Sequence, residues 1–206
     1  MKFSRQNTYR AIAALFGVFT ISTAALFIHA KIVQSRAERF IVDFRELALG
    51  SPVHPAVERL AAEHGGIIEG EDPASTCRSD CIYGFRFANQ ALFQTGLVPE
   101  ASVYGRIAIE GGSVHWKQLW FGSLGSRDYG AVGVAEKASY PEFDIQEWTK
   151  IFRREIYINS NTPDKTKREA YDFHIACLAS PFGCRDLRTV LPKAFSATPS
   201  PRTPHY

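Results

Sequence analysis

Residues Val103–Trp120 read VYGRIAIEGGSVHWKQLW. Two runs of alternating apolar and polar residues flank Gly111-Gly112, a two-residue turn that tolerates positive φ at both positions, and this combination specifies a β-hairpin. Centring the hairpin on that turn pairs Ile109 with Val114, Ile107 with Trp116 and Val103 with Trp120. In this register the apolar residues of both strands share one face, while Tyr104, Arg106, Glu110, His115 and Lys117 share the other. Such a face is ordinarily solvated. Tyr104, Arg106, His115 and Lys117 nevertheless make it the best binding surface the chain offers, if a partner covers it.

Upstream, Cys81–Ala88 also alternates, so the rings of Tyr83, Phe85 and Phe87 fall on one face of a strand. Downstream, Gly122–Gly130 reads as a connecting loop, Gly130–Ala135 as a short strand, and Trp148–Ile158 as a strand with Trp148, Phe152, Ile156 and Ile158 inward. Helical spacing appears elsewhere. Val33, Ala37, Phe40, Ile41, Phe44, Leu47 and Ala48 form one stripe, stopped by Gly50. A helix from Pro55 carries Val57, Leu60, Ala61 and His64 and ends at Gly65-Gly66. A third opens at Thr162-Pro163-Asp164 and carries Ala170, Phe173, His174, Cys177 and Leu178; a short turn of helix follows over Asp186–Leu191. The expected fold is α+β: an antiparallel sheet of four or five strands with helices on one face, preceded by one transmembrane helix.

That first helix is read from Ala11–Ile28, which holds no charged residue. Its length, about 27 Å at 1.5 Å per residue, matches the hydrocarbon thickness of a bilayer. Lys2, Arg5 and Arg10 before it also suit the n-region of a cleaved signal, with Ile28-His29-Ala30 as the processing site, but the apolar run is longer than a usual signal core. A retained anchor is the expectation. Lys31, Arg36 and Arg39 follow the segment and nearly balance the cations before it, so charge alone says little about orientation. The cysteines say more: four fall in two local pairs, Cys77 with Cys81 and Cys177 with Cys184, which favours disulfides in an oxidising compartment. Unpaired buried thiols are one alternative, and a metal site built from Cys77 and Cys81 together with Cys177, Cys184 or His174 is the other. The domain is therefore placed outside the cytoplasm and the N-terminus inside.

Catalytic and cofactor signatures are weak throughout. His174 and Cys177 have the spacing of a base and a nucleophile, but on an apolar stripe they read as core residues, with Cys184 near enough to take up the thiol. Gly122–Gly130 matches neither phosphate-binding nor dinucleotide-binding patterns, and no cofactor or metal is expected. The net charge of +3 is spread along the chain, which argues against nucleic acid as a partner.

The apolar N-terminal helix, the helix closing on Gly65-Gly66, the Cys77 and Cys81 pair before Phe85-Arg-Phe-Ala-Asn89, and Ala170-Tyr-Asp-Phe-His-Ile-Ala-Cys-Leu178 followed by Cys184 together resemble an uncharacterised group of bacterial proteins. The resemblance runs from about Val33 to Phe195 and implies a membrane-anchored domain with paired cysteines; no activity comes with it. The expected organisation is a cytoplasmic N-terminus over 1–10, a transmembrane helix over 11–30, a juxtamembrane helix over 31–50, the α+β domain over 51–195 and a disordered tail over 196–206. The expected function is that of a non-catalytic binding or assembly module facing an envelope protein, with a small envelope enzyme using His174 or His115 as the rival.

Overall fold

A computed structural model describes residues 5–69, 77, 79–96, 98–124, 129–148 and 152–199. Helix α1, Arg5–Glu46, is continuous, so the segments expected as a transmembrane and a juxtamembrane helix are one rod of about 63 Å. Its N-terminal part is long and apolar enough to cross a membrane, a property a signal sequence shares, and none of its most apolar window is buried. Its C-terminal part is core: Ala37, Phe40, Ile41, Phe44 and Leu47 are buried at the spacing read from sequence, whereas Ala48 is exposed. Phe40 packs its ring 4.7 Å from that of Phe85 and 5.1 Å from that of Phe87. Each such ring contributes roughly 1.5–3 kcal/mol through burial.

An irregular turn at Val53–Val57 leads into α2, Glu58–His64, which Gly65 ends at φ +74°. The strands are β1 (Ile67–Ile68), β2 (Cys81–Ala88), β3 (Glu100–Glu110), β4 (Ser113–Leu124), β5 (Tyr129–Lys137), β6 (Asp144–Trp148) and β7 (Phe152–Ile158). Helix α3, Gln90–Phe93, lies between β2 and β3; α4, Asp164–Ala170, and α5, Leu187–Val190, follow the sheet, and Asp186 caps α5 by accepting from the Arg188 N–H at 2.9 Å. Two 3₁₀ turns, Ala176–Ala179 and Pro192–Phe195, flank α5.

The α+β class holds, but the sheet is larger than expected and mixed: seven strands in the order β1-β2-β3-β4-β5-β7-β6. The segment read as one strand over Trp148–Ile158 is the junction of two, β6 and β7, which pair antiparallel. Strand β7 inserts between β6 and β5 and pairs with β5 in parallel. Alternation reports that a segment is a strand, not which neighbour it takes or in what direction. The loop expected over Gly122–Gly130 is mostly strand too, since Gly122, Ser123 and Leu124 close β4 and Tyr129 and Gly130 open β5; its middle lies outside the described residues. Of the expected tail, 200–206 lie outside them as well.

The hairpin turn is as read, with Gly111 at φ +56° and Gly112 at +75°. Its register is not. Ile109 faces Val114, but a bulge follows, so Ala108 faces Trp116, Ile107 faces Lys117, and Val103 faces Phe121. His115 is the extra residue. One added residue exchanges the two faces for everything beyond it. Lys117, Leu119 and Phe121 turn inward and are buried, while Trp116, Gln118 and Trp120 move to the outer face. Lys117 does not share a face with Tyr104 and Arg106 as expected; the exchange brings Leu119 and Phe121 into the core in place of two indoles that carry N–H donors.

The third helix is also shorter than its stripe. It ends at Ala170, and Tyr171, Phe173 and Ile175 are then buried at alternate positions along an irregular segment. His174 consequently points out; its side chain is 56% exposed beside Asp172, and its expected place in the core is corrected.

Candidate functional site

The described helices pack on one face of the sheet; the other carries a layer of aromatic and charged side chains from β2, β3, β4 and β7. Arg86 lies over the Tyr104 ring at 5.4 Å and donates to Glu100 at 2.5 Å. Arg106 makes a two-pronged contact with Glu69, one bond being 2.7 Å. That bond holds the Arg106 guanidinium above its ordinary value, against the effect of burial. Glu69 reaches across the sheet because β2 offers Gly84 beneath it: a Cβ there would stand 2.9 Å from the Glu69 carboxylate. Between these groups lies a hollow of about 450 Å³, lined by Glu69, Gly84, Arg86, Tyr104, Arg106 and Trp120 among others.

Beside the hollow is a buried carboxylate. Glu155 of β7 is 1% exposed and fully engaged. One oxygen accepts from Trp120 Nε1 at 2.8 Å and from the Gln118 amide; the other accepts from the Tyr157 hydroxyl at 2.9 Å and from Arg153 at 3.1 Å. The Trp120 indole lies against Gly133, where any Cβ would collide with it, and the Arg153 guanidinium lies over the indole at 4.5 Å. Burial, and then the Glu155 charge, push the Tyr157 phenol far above its usual range. The layer is thus preorganised, with each arginine matched to a carboxylate, and its exposed surface is rings, guanidinium planes and amides. Such groups hold a partner by stacking and by directional hydrogen bonds.

Tyr104 and Arg106 belong to this layer; the other two residues expected on it do not. His115 sits at the bulge near the hairpin tip, 3.3 Å from Glu110. Lys117 is on the inner face, 1% exposed. Its ammonium donates to the main-chain carbonyls of Phe44 and Arg45 at 3.0 Å and to that of Leu47, and pairs with Glu136 at 3.2 Å. These are carbonyls that the end of α1 leaves without helical partners, at the negative end of its dipole. Lys167 and the Tyr171 hydroxyl complete the Glu136 shell at 2.9 and 3.3 Å. Burial lowers Lys117 to about 8, with Glu136 opposing the shift, and burial together with Glu136 raises Tyr171 well above its ordinary value.

Arg86, Gln118, Trp120, Arg153 and Glu155 were missed by the sequence reading. Arg86 was accessible to it, since Phe85-Arg86-Phe87 places the guanidinium opposite two core rings. Arg153, Glu155 and Tyr157 likewise alternate against Ile156 and Ile158. Gln118 and Trp120 were hidden by the bulge.

The remaining candidates are dispersed. Disulfides join Cys77 to Cys81 and Cys177 to Cys184, so Cys177 has no thiol to offer as a nucleophile beside His174, and the four sulfurs are not available as metal thiolates. Asp43, Glu63 and His64 bring three potential ligand atoms within 4.8 Å of one another between α1 and α2, but the His64 Nε2 is already bonded to Asp43 at 2.8 Å. No protein-family model, curated protein or solved structure matches the chain.

Proposed function

We propose that this chain is a single-pass membrane protein whose domain stands outside the cytoplasm and binds an envelope protein through the outer face of its sheet. The observation carrying the reading is the layer around Arg86, Tyr104, Arg106 and Trp120, organised by Glu69, Glu100 and Glu155 beside an open hollow. Trp, Tyr and Arg are the residue types that dominate protein–protein binding energy, and here their rotamers are held before any partner arrives. With its charges paired, the face suits a protein surface better than a polyanion.

Two disulfides favour an oxidising compartment for the domain. Retention of the N-terminal segment is favoured by its packing, because Ala30 is 2% exposed and Leu26 packs beside it on the domain. Cleavage after Ala30 would strip both side chains from that contact.

The test is photocrosslinking in intact cells with the full chain, placing a photoreactive residue at Tyr104, at Arg86 or, as a control remote from the face, at the exposed His54. A defined protein adduct from the first two positions, lost when Trp120→Ala is added, is the expected result. Adducts from His54 alone, or adducts indifferent to Trp120→Ala, would overturn the assignment of the face.

A further inference from the structure

The domain has a membrane-proximal end that can be identified from register. Phe40 of α1 lies against Gly105 of β3, where a Cβ would collide with its ring, and the Gly50 N–H bonds the Val114 carbonyl at 2.8 Å. The Gly111-Gly112 tip therefore lies at the end remote from the apolar half of α1. In the other direction, ten residues of helix from Phe40 to Ala30 rise about 15 Å. Five residues of strand from Gly105 to Glu100 rise about 17 Å. The start of β3 thus lies level with Ala30, where the apolar run ends.

At that level the domain closes on the helix. Leu26 and Ala30 pack with Leu92 of α3, Val98 before β3, and Ala179 in the 3₁₀ turn after α4. Outside α1, the exposed large apolar side chains among the described residues are Ile67, Phe93 and Phe182. Both phenylalanines belong to this end: Phe93 closes α3, one residue after Leu92, and Phe182 is three residues after Ala179, inside the loop closed by Cys177 and Cys184. That loop is held in place. Its Gly183 lies against Pro99, the Phe182 N–H donates to Ser180 Oγ at 3.1 Å, and the Phe182 carbonyl accepts from Arg185 Nε at 3.1 Å. The Phe182 ring is left 68% exposed, with a guanidinium beside its backbone.

Exposed apolar side chains are ordinary when scattered and informative when they gather where an apolar phase begins. From this we infer that Phe93 and Phe182 insert into the interfacial layer of the bilayer that α1 crosses, seating the domain on lipid at two points besides its helix. Arg185, exposed next to Phe182, and Lys31, one residue beyond Ala30, are placed to meet lipid phosphates while the rings and apolar stems lie deeper. The inference rests on reading α1 as a retained membrane span.

The full chain, reconstituted in phosphatidylcholine vesicles, tests it with Phe182→Trp and, separately, Phe93→Trp, each read as the difference from the unsubstituted chain. The expected result is that lipids brominated high on the acyl chain quench most of the added emission while aqueous iodide leaves it largely intact. Two exposed sites make loss of folding in both variants an unsuitable escape, and tryptic resistance of each variant checks it. If iodide quenches both added indoles as it does free tryptophan and bromolipid does not, in a chain that resists carbonate extraction, the seating is wrong while the anchor stands. If carbonate releases the chain, the anchor fails and the seating falls with it.

Discussion

Two glutamates one strand apart, Glu136 on β5 and Glu155 on β7, are buried almost equally, at 2% and 1% exposure, on opposite faces of the same sheet. The means differ. Glu136 faces the core, bracketed by Lys117 and Lys167, and it is sealed there by α1 and by the Tyr171 segment. Glu155 faces away from every described helix and is covered by side chains of the sheet itself, Gln118 and Trp120 from β4 and Arg153 and Tyr157 from its own strand, three of these four donors, Gln118, Trp120 and Tyr157, being neutral. Burial on the inner face thus depends on the whole tertiary assembly, and on the outer face on side chains of the sheet alone. The inner pair joins α1 to the sheet, whereas the outer cluster stiffens a surface.

The comparison breaks most readily at Lys117. Lys117→Met removes the donor to three carbonyls at the end of α1 and leaves Glu136 buried with a diminished partner set. A loss of about 3–5 kcal/mol is expected, read from urea denaturation of the full chain in detergent. A neutral outcome would mean that Lys117 is not on the inner face. Adding Glu136→Gln should restore part of the loss, so that the two changes are clearly non-additive.

A smaller effect is expected on the outer face. Glu155→Gln keeps the shape but weakens the bonds from Arg153, Trp120 and Tyr157, and it should lower stability by about 1–3 kcal/mol. It should also loosen Trp120, which an increase in iodide quenching of the native tryptophan fluorescence would report. A loss as large as that of Lys117→Met would erase the distinction between the faces.

The inner face also carries a pH signature. Lys117 loses its proton near 8 in the fold but near 10.5 in the unfolded chain. Between those values the unfolded state binds more protons, so this group's contribution makes stability rise with pH from about 8, by at most about 1.4 kcal/mol per unit. Above the ordinary tyrosine value of 10.0 the raised phenols of Tyr171 and Tyr157 reverse the trend, because the unfolded chain then loses protons that the fold retains. Denaturation midpoints at pH 8 and pH 9.5 check the rise, and Lys117→Met should flatten it. The mildest change is Arg106→Ala: its pair with Glu69 is about one-third exposed on each side, so screening leaves it worth about 0–1 kcal/mol, and binding rather than stability should register its loss.

What sequence alone determined here is what local chemistry determines. The uncharged run and the stripe beyond it required one long helix, the alternating rings of Tyr83, Phe85 and Phe87 required a core-facing strand, and the Gly111-Gly112 pair required a tight turn. Local cysteine spacing required only that each pair be able to meet. Tertiary structure decided the faces. Shifting β4 by one residue leaves its period intact, so the alternation reads equally well either way; the bulge at Ala108 and Ile109 is selected because it sends Leu119 and Phe121 into the core and gives the Lys117 ammonium the open carbonyls of α1, a group 70 or more residues away in the chain. The same holds for β7, whose parallel place beside β5 rests on contacts that no short window contains. His174 was misassigned for a related reason: a helical stripe and the alternation of Tyr171, Phe173 and Ile175 coexist in those residues, and packing of the alternating set against the core selects between them.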